Sequence, residues 1–301
     1  MYDDSRADNY KVVVFQKIYD DETVKLVSVL KARGVRTVFD LCDNLFHYDL
    51  DNPPGQQKRI EQLNRMIETV DEISVSTPPL VDIIQERSGR VPTIIDDAIE
   101  EPKISRLKQS YYTLQNYFGS AKEKPFRVVW YGVSGTKNPP YGMIDLSRIL
   151  PSLSELHKCV PLSLTVISNS SELFREYTSA VAFPKIYHEW NMTTFPYLFS
   201  GHDVCIVPVN ANPLTLCKTN NRLVLSLLLN VPVVADRIPS YEEFSEFVLF
   251  SDWEHNLRTY ASDPELRRRH VQLGRKHIRT VYTKDRTVSQ WSSLFNRLLN
   301  S

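Results

Sequence analysis

The sequence predicts an α/β protein with two doubly wound parallel sheets, and three observations indicate this fold class. Short β-branched runs alternate with helical segments through the first hundred residues. The alternation lapses over a charged, tyrosine-rich stretch and restarts at Arg127. The stretch from Asp203 to Asp236 then reads as strand, polar loop, helix and strand, the βαβ unit from which parallel sheets are built. Two successive Rossmann-like domains are therefore expected.

The first hundred residues predict four strands with helices between them. The strands are expected at 10–16, 35–39, 72–76 and 92–95, and the helices at 21–33, at 56–70 and from Thr77 onward. Gly34 and Gly89 are placed to end two of these helices, because glycine readily adopts the left-handed conformation of a helix C-cap. Thr77 and Pro78 are favourable residues for the start of the third helix.

The second half predicts a second sheet and a helical end. Strands are expected at 127–131, 162–168, 181–187, 204–207, 231–234 and 247–250. Helices are expected at 142–157, 170–178, 191–200, from Lys218, and at 240–246, 253–261, 264–281 and 284–299. The predicted domains are residues 1–100 and 126–283, joined by a linker at 101–125 and followed by a terminal helix at 284–301.

The composition is that of a soluble globular protein. A chain of 301 residues is long enough for two cores, and 42% hydrophobic and 24% charged residues are ordinary proportions. No apolar run reaches the roughly 18–20 residues that span a bilayer, and no signal peptide is recognisable. The four cysteines lack metal-ligand spacing, so a reducing, cytoplasmic location is expected.

The net charge is zero but is unevenly distributed. Residues 1–100 hold 12 Lys and Arg against 19 Asp and Glu, whereas residues 101–301 hold 24 against 17. A general nucleic-acid-binding protein would present a continuous basic face, so this class is disfavoured. The basic second half suits a domain that holds an anionic ligand.

Two cations stand at the predicted start of the helix in the central βαβ unit. Lys218 and Arg222 are four residues apart, which would place them on one helix face, with Asn220 and Asn221 between them. Cations at a helix N-terminus oppose the helix dipole, and the free N–H groups there attract anions. The pattern favours a phosphate or diphosphate site, and the ordinary alternative is a solvated surface pair.

Several segments occur in an order that resembles a known enzyme family. They are Val128–Gly132 with Ser134 and Gly135, Trp190 before a helix, His202–Pro208, and Lys218–Arg222 leading into Asn230–Ala235. The second half resembles the C-terminal domain of GT-B-fold glycosyltransferases, especially glycosyltransferase family 4 and its group-1 relatives. Weaker forms of the family's landmarks in the first half are Phe39–Asn44, Ser76–Pro78 and Ile94–Ile99.

The resemblance implies transfer of a hexose from a nucleoside diphosphate sugar to a glycan or lipid-linked acceptor. The nucleotide would bind the C-terminal domain and the acceptor the N-terminal one, with the terminal helix crossing back to the N-terminal domain. No metal and no cofactor are implied, because cationic side chains and helix ends take up the charge of the leaving diphosphate. A location at the inner face of a membrane would suit a lipid-linked acceptor.

The resemblance also assigns roles to individual residues. The donor-binding set consists of Gly132, Ser134, Gly135, Lys137, His188, Trp190, Lys218, Asn220, Asn221, Arg222, Tyr241 and Glu242. Within it, Lys218 and Arg222 hold the diphosphate, His188 and Trp190 lie near the base, and the small residues of the loop at 132–137 allow close phosphate approach. Tyr241 and Glu242 would contact sugar or ribose hydroxyls.

Acidic residues after the second predicted strand are candidates for the acceptor side. Asp40 and Asp43 could be catalytic carboxylates, metal ligands or ordinary loop caps. Asn44 and His47 follow them as polar acceptor contacts or exposed loop residues. The basic run at 265–279 is a candidate for peripheral membrane contact, and a solvated helical face is the more common reading of such a run.

The sequence departs from the family pattern in two places. Many family-4 enzymes bond ribose through a glutamate where this chain has Leu225, and Asn230 stands where they have a glycine. The N-terminal domain also reads as shortened, without the family's first strand and its glycine-rich loop. These departures support an alternative function, a non-catalytic nucleotide-sugar-binding partner subunit. A GT-B epimerase or phosphorylase is a third possibility, and the oligomeric state is left open.

Overall fold

The β-branched runs form parallel sheets in the computed structural model, which describes residues 10–48, 50–99, 101–102, 104–105 and 125–300. The chain divides into two compact units. The first unit comprises Met1–Ala98, Asn212–Thr219 and Tyr282–Ser301, and the second unit comprises Ile99–Ala211 and Asn220–Val281. Most of the predicted linker at 101–125 lies outside the described residues.

The first unit holds, within the described ranges, a four-stranded parallel sheet of order β1-β2-β3-β4. Its strands are β1 (Val12–Gln16), β2 (Arg36–Leu41), β3 (Glu72–Val75) and β4 (Thr93–Ile94), and its connecting helices are Asp21–Ala32, Pro53–Thr69 and Pro78–Ser88. The helices pack apolar side chains such as Leu63 and Met66 against Phe39 of the sheet. A 3-10 turn, Leu45–His47, follows β2.

Strand β2 ends two residues later than the sequence predicts, at Leu41 instead of Phe39. Asp40 pairs with Gln16 of β1 and with Ser74 of β3, and Leu41 pairs with Val75. The prediction that Asp40 follows the strand is therefore wrong, because neighbouring strands on both sides extend the ladder through it. Asp43 does lie beyond the carboxyl end of β2.

The second unit holds a six-stranded parallel sheet and a two-stranded hairpin, counted over the described residues. The strands are β5 (Phe126–Tyr131), the hairpin strands β6 (Gly135–Lys137) and β7 (Pro140–Gly142), β8 (Leu162–Ser168), β9 (Lys185–Glu189), β10 (Val204–Val207), β11 (Val233–Ala235) and β12 (Leu249–Phe250). The sheet order is β12-β11-β10-β5-β8-β9. The chain therefore builds outward from β5 in one direction and then returns to β10 and builds in the other.

The helices of the second unit flank this sheet. They are Met143–Ser147, Leu150–His157, Ser171–Thr178, Phe195–Phe199, Asn221–Leu228, Trp253–Ser262 and Pro264–Val281, with a 3-10 turn at Pro239–Phe244. The predicted helix at 142–157 is thus interrupted. The strand predicted at 181–187 is shifted, because proline cannot donate a ladder hydrogen bond and β9 begins only after Pro184. The strand continues to Glu189, so His188 and Glu189 lie inside it and do not follow it.

The last helix, Lys284–Asn300, belongs to the first unit. Leu294 and Leu298 pack in one cluster with Val38 and Ile95. Asp96 anchors the helix, because its backbone N–H donates to Gln290 Oε1 at 3.0 Å and its carboxylate accepts from Gln290 Nε2 at 3.0 Å. Over the part of the chain that the structure describes, no helix is long and apolar enough to cross a membrane.

Candidate active site

The second sheet has a topological switch point between the carboxyl ends of β5 and β10. Strands β5 and β10 are neighbours, and the connections leaving them run to opposite sides of the sheet. In doubly wound sheets, ligands bind in the crevice at such a point. The residues that follow the two strands are Gly132 and Pro208.

Arg222 reaches this switch point from the second position of the helix Asn221–Leu228. Its Nη2 atom donates to the carbonyl oxygen of Tyr131 at 2.6 Å, and the Tyr131 hydroxyl donates to the carbonyl oxygen of Arg222 at 3.1 Å. The guanidinium carbon lies 5.5 Å from the ring centroid of Trp130 and 5.4 Å from that of Tyr131. Its Nε is buried without a hydrogen-bond partner among the described residues. A cation is thus held against the end of β5 with donor capacity remaining.

Gly132 lies beside this guanidinium at the end of β5, and Ser134 follows it two residues later. A Cβ atom at Gly132 would lie 3.7 Å from Arg222 Nη2 and 3.1 Å from the Trp130 ring, so the missing side chain leaves the approach to Arg222 open. The backbone N–H of Ser134 donates to Asn169 Oδ1 at 2.7 Å. The loop is therefore tied to the residue that follows β8.

Gly135 has a different requirement from the one the sequence suggested. Its φ is +74°, and a Cβ atom there would lie 1.8 Å from the carbonyl oxygen of Tyr141 across the hairpin. Closure of the β6–β7 hairpin thus explains this glycine without a phosphate. Lys137, in the same hairpin, pairs with Glu176 at 3.3 Å, and both side chains are at least half exposed.

Lys218 does not lie on the helix with Arg222, so the prediction of a shared helix face is wrong. The helix begins at Asn221, and Lys218 has an extended backbone at the end of the 3-10 turn Thr215–Cys217. This turn forms because Asn212 Oδ1 accepts hydrogen bonds from the backbone N–H groups of Leu214 and Thr215. The segment belongs to the first unit, where the Lys218 ammonium pairs with Asp43 at 2.5 Å.

The two asparagines between the cations differ in their environments. Asn220 is buried, and its Nδ2 donates to Glu243 Oε1 at 3.0 Å, while His277 Nε2 lies 3.1 Å from the other oxygen of Glu243. Asn220 thus joins the helix start to the turn Pro239–Phe244. Asn221 is exposed at the first helical position.

Asp145 is a buried carboxylate near the switch point that the sequence analysis did not single out. Its Oδ1 accepts from the backbone N–H of Asn210 at 3.1 Å and from the Asn210 amide, and its Oδ2 accepts from Gly142 N–H at 3.1 Å. Burial raises the pKa of Asp145, against the opposing effect of these hydrogen bonds and of the Arg222 charge. In the sequence it reads as an ordinary first-turn acid, so only the fold reveals that it joins the hairpin to the loop after β10.

Asp236 and Arg148, which no local sequence pattern marks as site residues, hold the same loop after β10 in place. Asp236, directly after β11, accepts from the Val209 backbone N–H at 2.8 Å and pairs with Arg148. Arg148 Nη2 also donates to the carbonyl oxygen of Val209 at 3.1 Å. The rim of the switch point is therefore rigidly hydrogen-bonded.

The residues predicted to contact the base lie at the edge of the second sheet. His188 is inside β9, two strands from β5, which corresponds to about 10 Å at ordinary strand spacing. Burial lowers the pKa of His188, and its Nε2 has no hydrogen-bond partner within the described ranges. Trp190, just beyond β9, is 51% exposed.

The two residues predicted to contact hydroxyl groups have contrasting exposure. Tyr241 is only 2% exposed and belongs to the core, and burial raises its pKa to about 12. Glu242 is half exposed and pairs with Arg237. Of the predicted donor set, the structure therefore brings Arg222 and Gly132 together.

The predicted acceptor residues lie in the first unit, and one of them, Asp43, forms a charge cluster with Lys17 and Lys218. Asp43 pairs with both Lys17 and Lys218. Burial raises the pKa of Asp43, but the two lysines outweigh this effect and the pKa is lowered. Asp40 instead accepts from Gln16 Nε2 at 2.9 Å and from the Ser74 hydroxyl at 2.8 Å.

The other two predicted acceptor residues, Asn44 and His47, differ in burial. Asn44 is buried, and its Nδ2 donates to the carbonyl oxygen of Pro213 at 2.9 Å. His47 ends the 3-10 turn after β2 and is half-buried. The described residues include no group of three or more His, Cys, Asp and Glu side chains that could hold a metal ion.

Two doubly wound parallel sheets are the architecture of the GT-B glycosyltransferases, and comparison with solved structures confirms this predicted fold class. Anabaena HepE, solved with UDP-glucose, matches with a TM-score of 0.72 at 12% identity, over 99% of this chain and 80% of HepE. A glycosyltransferase from Rickettsia africae matches with a TM-score of 0.71 at 9% identity, over 98% of this chain and 78% of that one.

A third solved structure, that of S. aureus TarM, has a TM-score of 0.64 at 11% identity over 89% of this chain. The present chain spans about half of TarM, 53% of its length. No protein-family model matches the chain, and no curated protein matches it in sequence. The chain therefore has the GT-B fold, and membership of family 4 stays a prediction.

Proposed function

We propose that the chain is a glycosyltransferase that moves a hexose from a nucleoside diphosphate sugar to a glycan or lipid-linked acceptor. The observation on which this rests is the Arg222 guanidinium at the switch point, beside Gly132, which has no side chain to obstruct it. HepE, which has the same fold, was solved with UDP-glucose. The donor is assigned to the second unit and the acceptor to the first.

Glycosyl transfer requires a positive group where the leaving diphosphate gains negative charge. The bond from the anomeric carbon to the diphosphate oxygen breaks, the acceptor oxygen bonds to that carbon, and the proton of the acceptor hydroxyl passes to the leaving diphosphate or to water. A planar guanidinium is suited to stabilising a phosphate oxygen through two parallel hydrogen bonds. The aromatic rings of Trp130 and Tyr131 and the bond to the Tyr131 carbonyl keep Arg222 in one orientation before the ligand arrives.

The remaining donor residues have supporting roles in this proposal. Exposed Trp190 is assigned to the base, and exposed Glu242 to a ribose or sugar hydroxyl. Asp145 and Asp236 are positioning residues, because they hold the backbone of the loop after β10. Lys137 is left out of this set, because its ammonium pairs with Glu176 on the surface.

The basic run at 265–279 favours a structural role over membrane contact. Three of its arginines are paired within the second unit: Arg268 with Glu265, and Arg275 and Arg279 with Glu101. Arg267 donates to the carbonyl oxygen of Tyr260. A membrane surface would have to displace these partners.

Substitution of Arg222 tests the donor assignment. We expect Arg222→Gln to weaken UDP binding at least tenfold in calorimetric titration, because it removes a charge-assisted contact of about 1.5–3 kcal/mol. UDP-glucose hydrolysis should fall in parallel. The matched control is Arg258→Gln, an exposed arginine paired with Glu254 on a helix of the same unit. Unchanged UDP binding by a folded Arg222→Gln protein would show that the diphosphate lies elsewhere.

The same titration separates the alternative function, which rests on Leu225 in place of the ribose-binding carboxylate. A partner subunit without catalysis would bind UDP through Arg222 but would neither hydrolyse UDP-glucose nor transfer glucose to an acceptor. An active transferase would turn the donor over at a rate that depends on Arg222.

A further inference from the structure

The charge cluster of the first unit combines an unusual backbone with half-exposed ammonium groups. Lys17 follows β1 with φ +55°, a left-handed conformation that costs a non-glycine residue roughly 1–2 kcal/mol. Its ammonium pairs with Asp43, which also pairs with Lys218. Strained positions of this kind concentrate at functional sites.

The cluster presents its cations, rather than its carboxylate, to the surroundings. The side chains of Lys17 and Lys218 are each 38% exposed, whereas that of Asp43 is 19% exposed. Burial lowers the pKa of Lys17, but the hydrogen bond and charge of Asp43 outweigh it and the pKa is raised. Lys17 and Asp43 are therefore both ionised at neutral pH.

Asp43 is better suited to orienting the lysines than to accepting a proton. A general base needs a pKa near the working pH, and the two lysines hold the pKa of Asp43 below its ordinary value. The carboxylate of Asp40 is directed at the neutral groups of Gln16 and Ser74. The sequence reading of Asp43 as a catalytic carboxylate is thus less favoured than a role in which it fixes two ammonium groups.

Two more contacts hold the Lys218 segment in this position. The Thr77 hydroxyl donates to the carbonyl oxygen of Cys217 at 3.0 Å, and the Cys217 side chain is buried in the core of the first unit. The Asn44 amide donates to the carbonyl oxygen of Pro213. Lys218 is consequently placed by the fold, and its ammonium does not depend on Asp43 alone for its location.

We propose that Lys17 and Lys218, oriented by Asp43, bind an anionic group of the acceptor, either a phosphate or a carboxylate. The identification of the ligand as the acceptor rests on the proposed function. The anion site itself is argued from the contacts within the first unit alone. Lysine ammonium groups are ordinary phosphate ligands, and Asp43 holds two of them close to one another. An acceptor with neutral sugars alone would not use this site.

The test is a titration of the full chain with methyl phosphate, followed by ³¹P line broadening at constant ionic strength, and with glucuronate, followed by saturation-transfer NMR. Lys17→Gln and Lys218→Gln should each weaken binding about fivefold or more, because each removes a charged donor. Lys25→Gln, on an exposed helix position of the same unit, is the matched control and should bind like the parent. The stronger of the two probes identifies the anion as phosphate or carboxylate.

Three results would overturn the proposal. They are the absence of saturable binding of either probe, equal binding by the parent and both lysine variants, and loss of binding through Arg222→Gln instead. If Lys218→Gln fails to fold, Lys218→Arg keeps the charge and should keep the binding, whereas loss with the arginine variant would contradict a purely charge-based site.

UDP titration of the same samples keeps this proposal separate from the proposed function. UDP binding with no probe binding means that the anion site alone is wrong. Probe binding that depends on both lysines, with no UDP binding, means that the donor assignment is wrong while the anion site stands.

Discussion

Gly132 and Gly135, which both follow β5 closely, lack a side chain for different physical reasons. Gly135 has a positive φ and no room for a Cβ atom across the hairpin, so its absence of a side chain serves the fold. At Gly132 the nearest atoms to a Cβ would be a tryptophan ring and the Arg222 guanidinium. The first glycine therefore belongs to the site and the second to the scaffold.

Alanine substitutions should separate these two roles. We expect Gly135→Ala to lower the unfolding midpoint of the protein by several degrees, because the clash with the Tyr141 carbonyl and the strained φ together cost about 2–4 kcal/mol. Gly132→Ala should cost less stability but weaken UDP binding. Both are measured by thermal unfolding and UDP titration.

Gly34→Ala is the control for backbone strain alone, since Gly34 has φ +78° and open space around it. It should lose about 1 kcal/mol. A Gly135→Ala protein as stable as Gly34→Ala would mean that the hairpin can open without cost.

Local sequence signals predict the strands of the second sheet well, whereas long-range contacts make the predicted placement of Lys218 wrong. The bounds predicted for β8 and β10 match the structure, because each is rich in β-branched and apolar residues and is flanked by polar or proline residues. Lys218 was misplaced because Asn212 starts a separate turn and Cys217 is buried among residues of the first unit. No local pattern in the sequence reports a contact with residues more than a hundred positions away.

The buried His202 links two of these elements and makes their stability depend on pH. Its Nε2 lies 2.7 Å from the Thr165 hydroxyl of β8, and its Nδ1 lies 2.9 Å from the Phe199 carbonyl oxygen. Burial lowers its pKa to about 4, from an ordinary value of 6.5. The unfolded chain thus binds a proton at this histidine between these pH values and the folded chain does not, so stability falls as the pH drops below 6.5.

We expect His202→Asn to be less stable than the parent at pH 8 and to lose less stability on acidification. At pH 5 the parent should have lost about 2 kcal/mol through this histidine. The measurement is chemical denaturation at pH 8 and pH 5, with His255→Asn at an exposed position as the control. Equal pH dependence of the parent and the His202→Asn protein would contradict the buried, neutral histidine.

The first unit is assembled from three separated stretches of chain. Leu294 of the last helix is fully buried with Val38 and Ile95, and Arg297 pairs with Glu72 at 2.9 Å. The amphipathic pattern of this helix predicted that it docks on the fold, whereas its partners follow only from the tertiary structure.

Leu294→Ala should destabilise the first unit by about 2–5 kcal/mol, since it leaves a cavity in this cluster. Because Arg222 and Gly132 belong to the second unit, UDP affinity at a temperature where the variant is folded should stay within about twofold of the parent. Val288→Ala, at a position that is 61% exposed on the same helix, is the matched control. A large loss of UDP affinity in the Leu294→Ala protein would show that the last helix also supports the donor site.

The scattered composition of the first unit has a consequence for its biogenesis. As the ribosome delivers the chain from its N-terminus, strands β1 to β4 emerge long before Cys217, and longer still before Leu294 and Leu298. Part of the apolar surface of the nascent sheet therefore stays exposed until these later segments are synthesised. Such exposed apolar surface is a target for chaperone binding. The second unit, except for the excursion at 212–219, is nearly continuous in sequence, so it can mature during translation while the earlier-made unit is still unfinished.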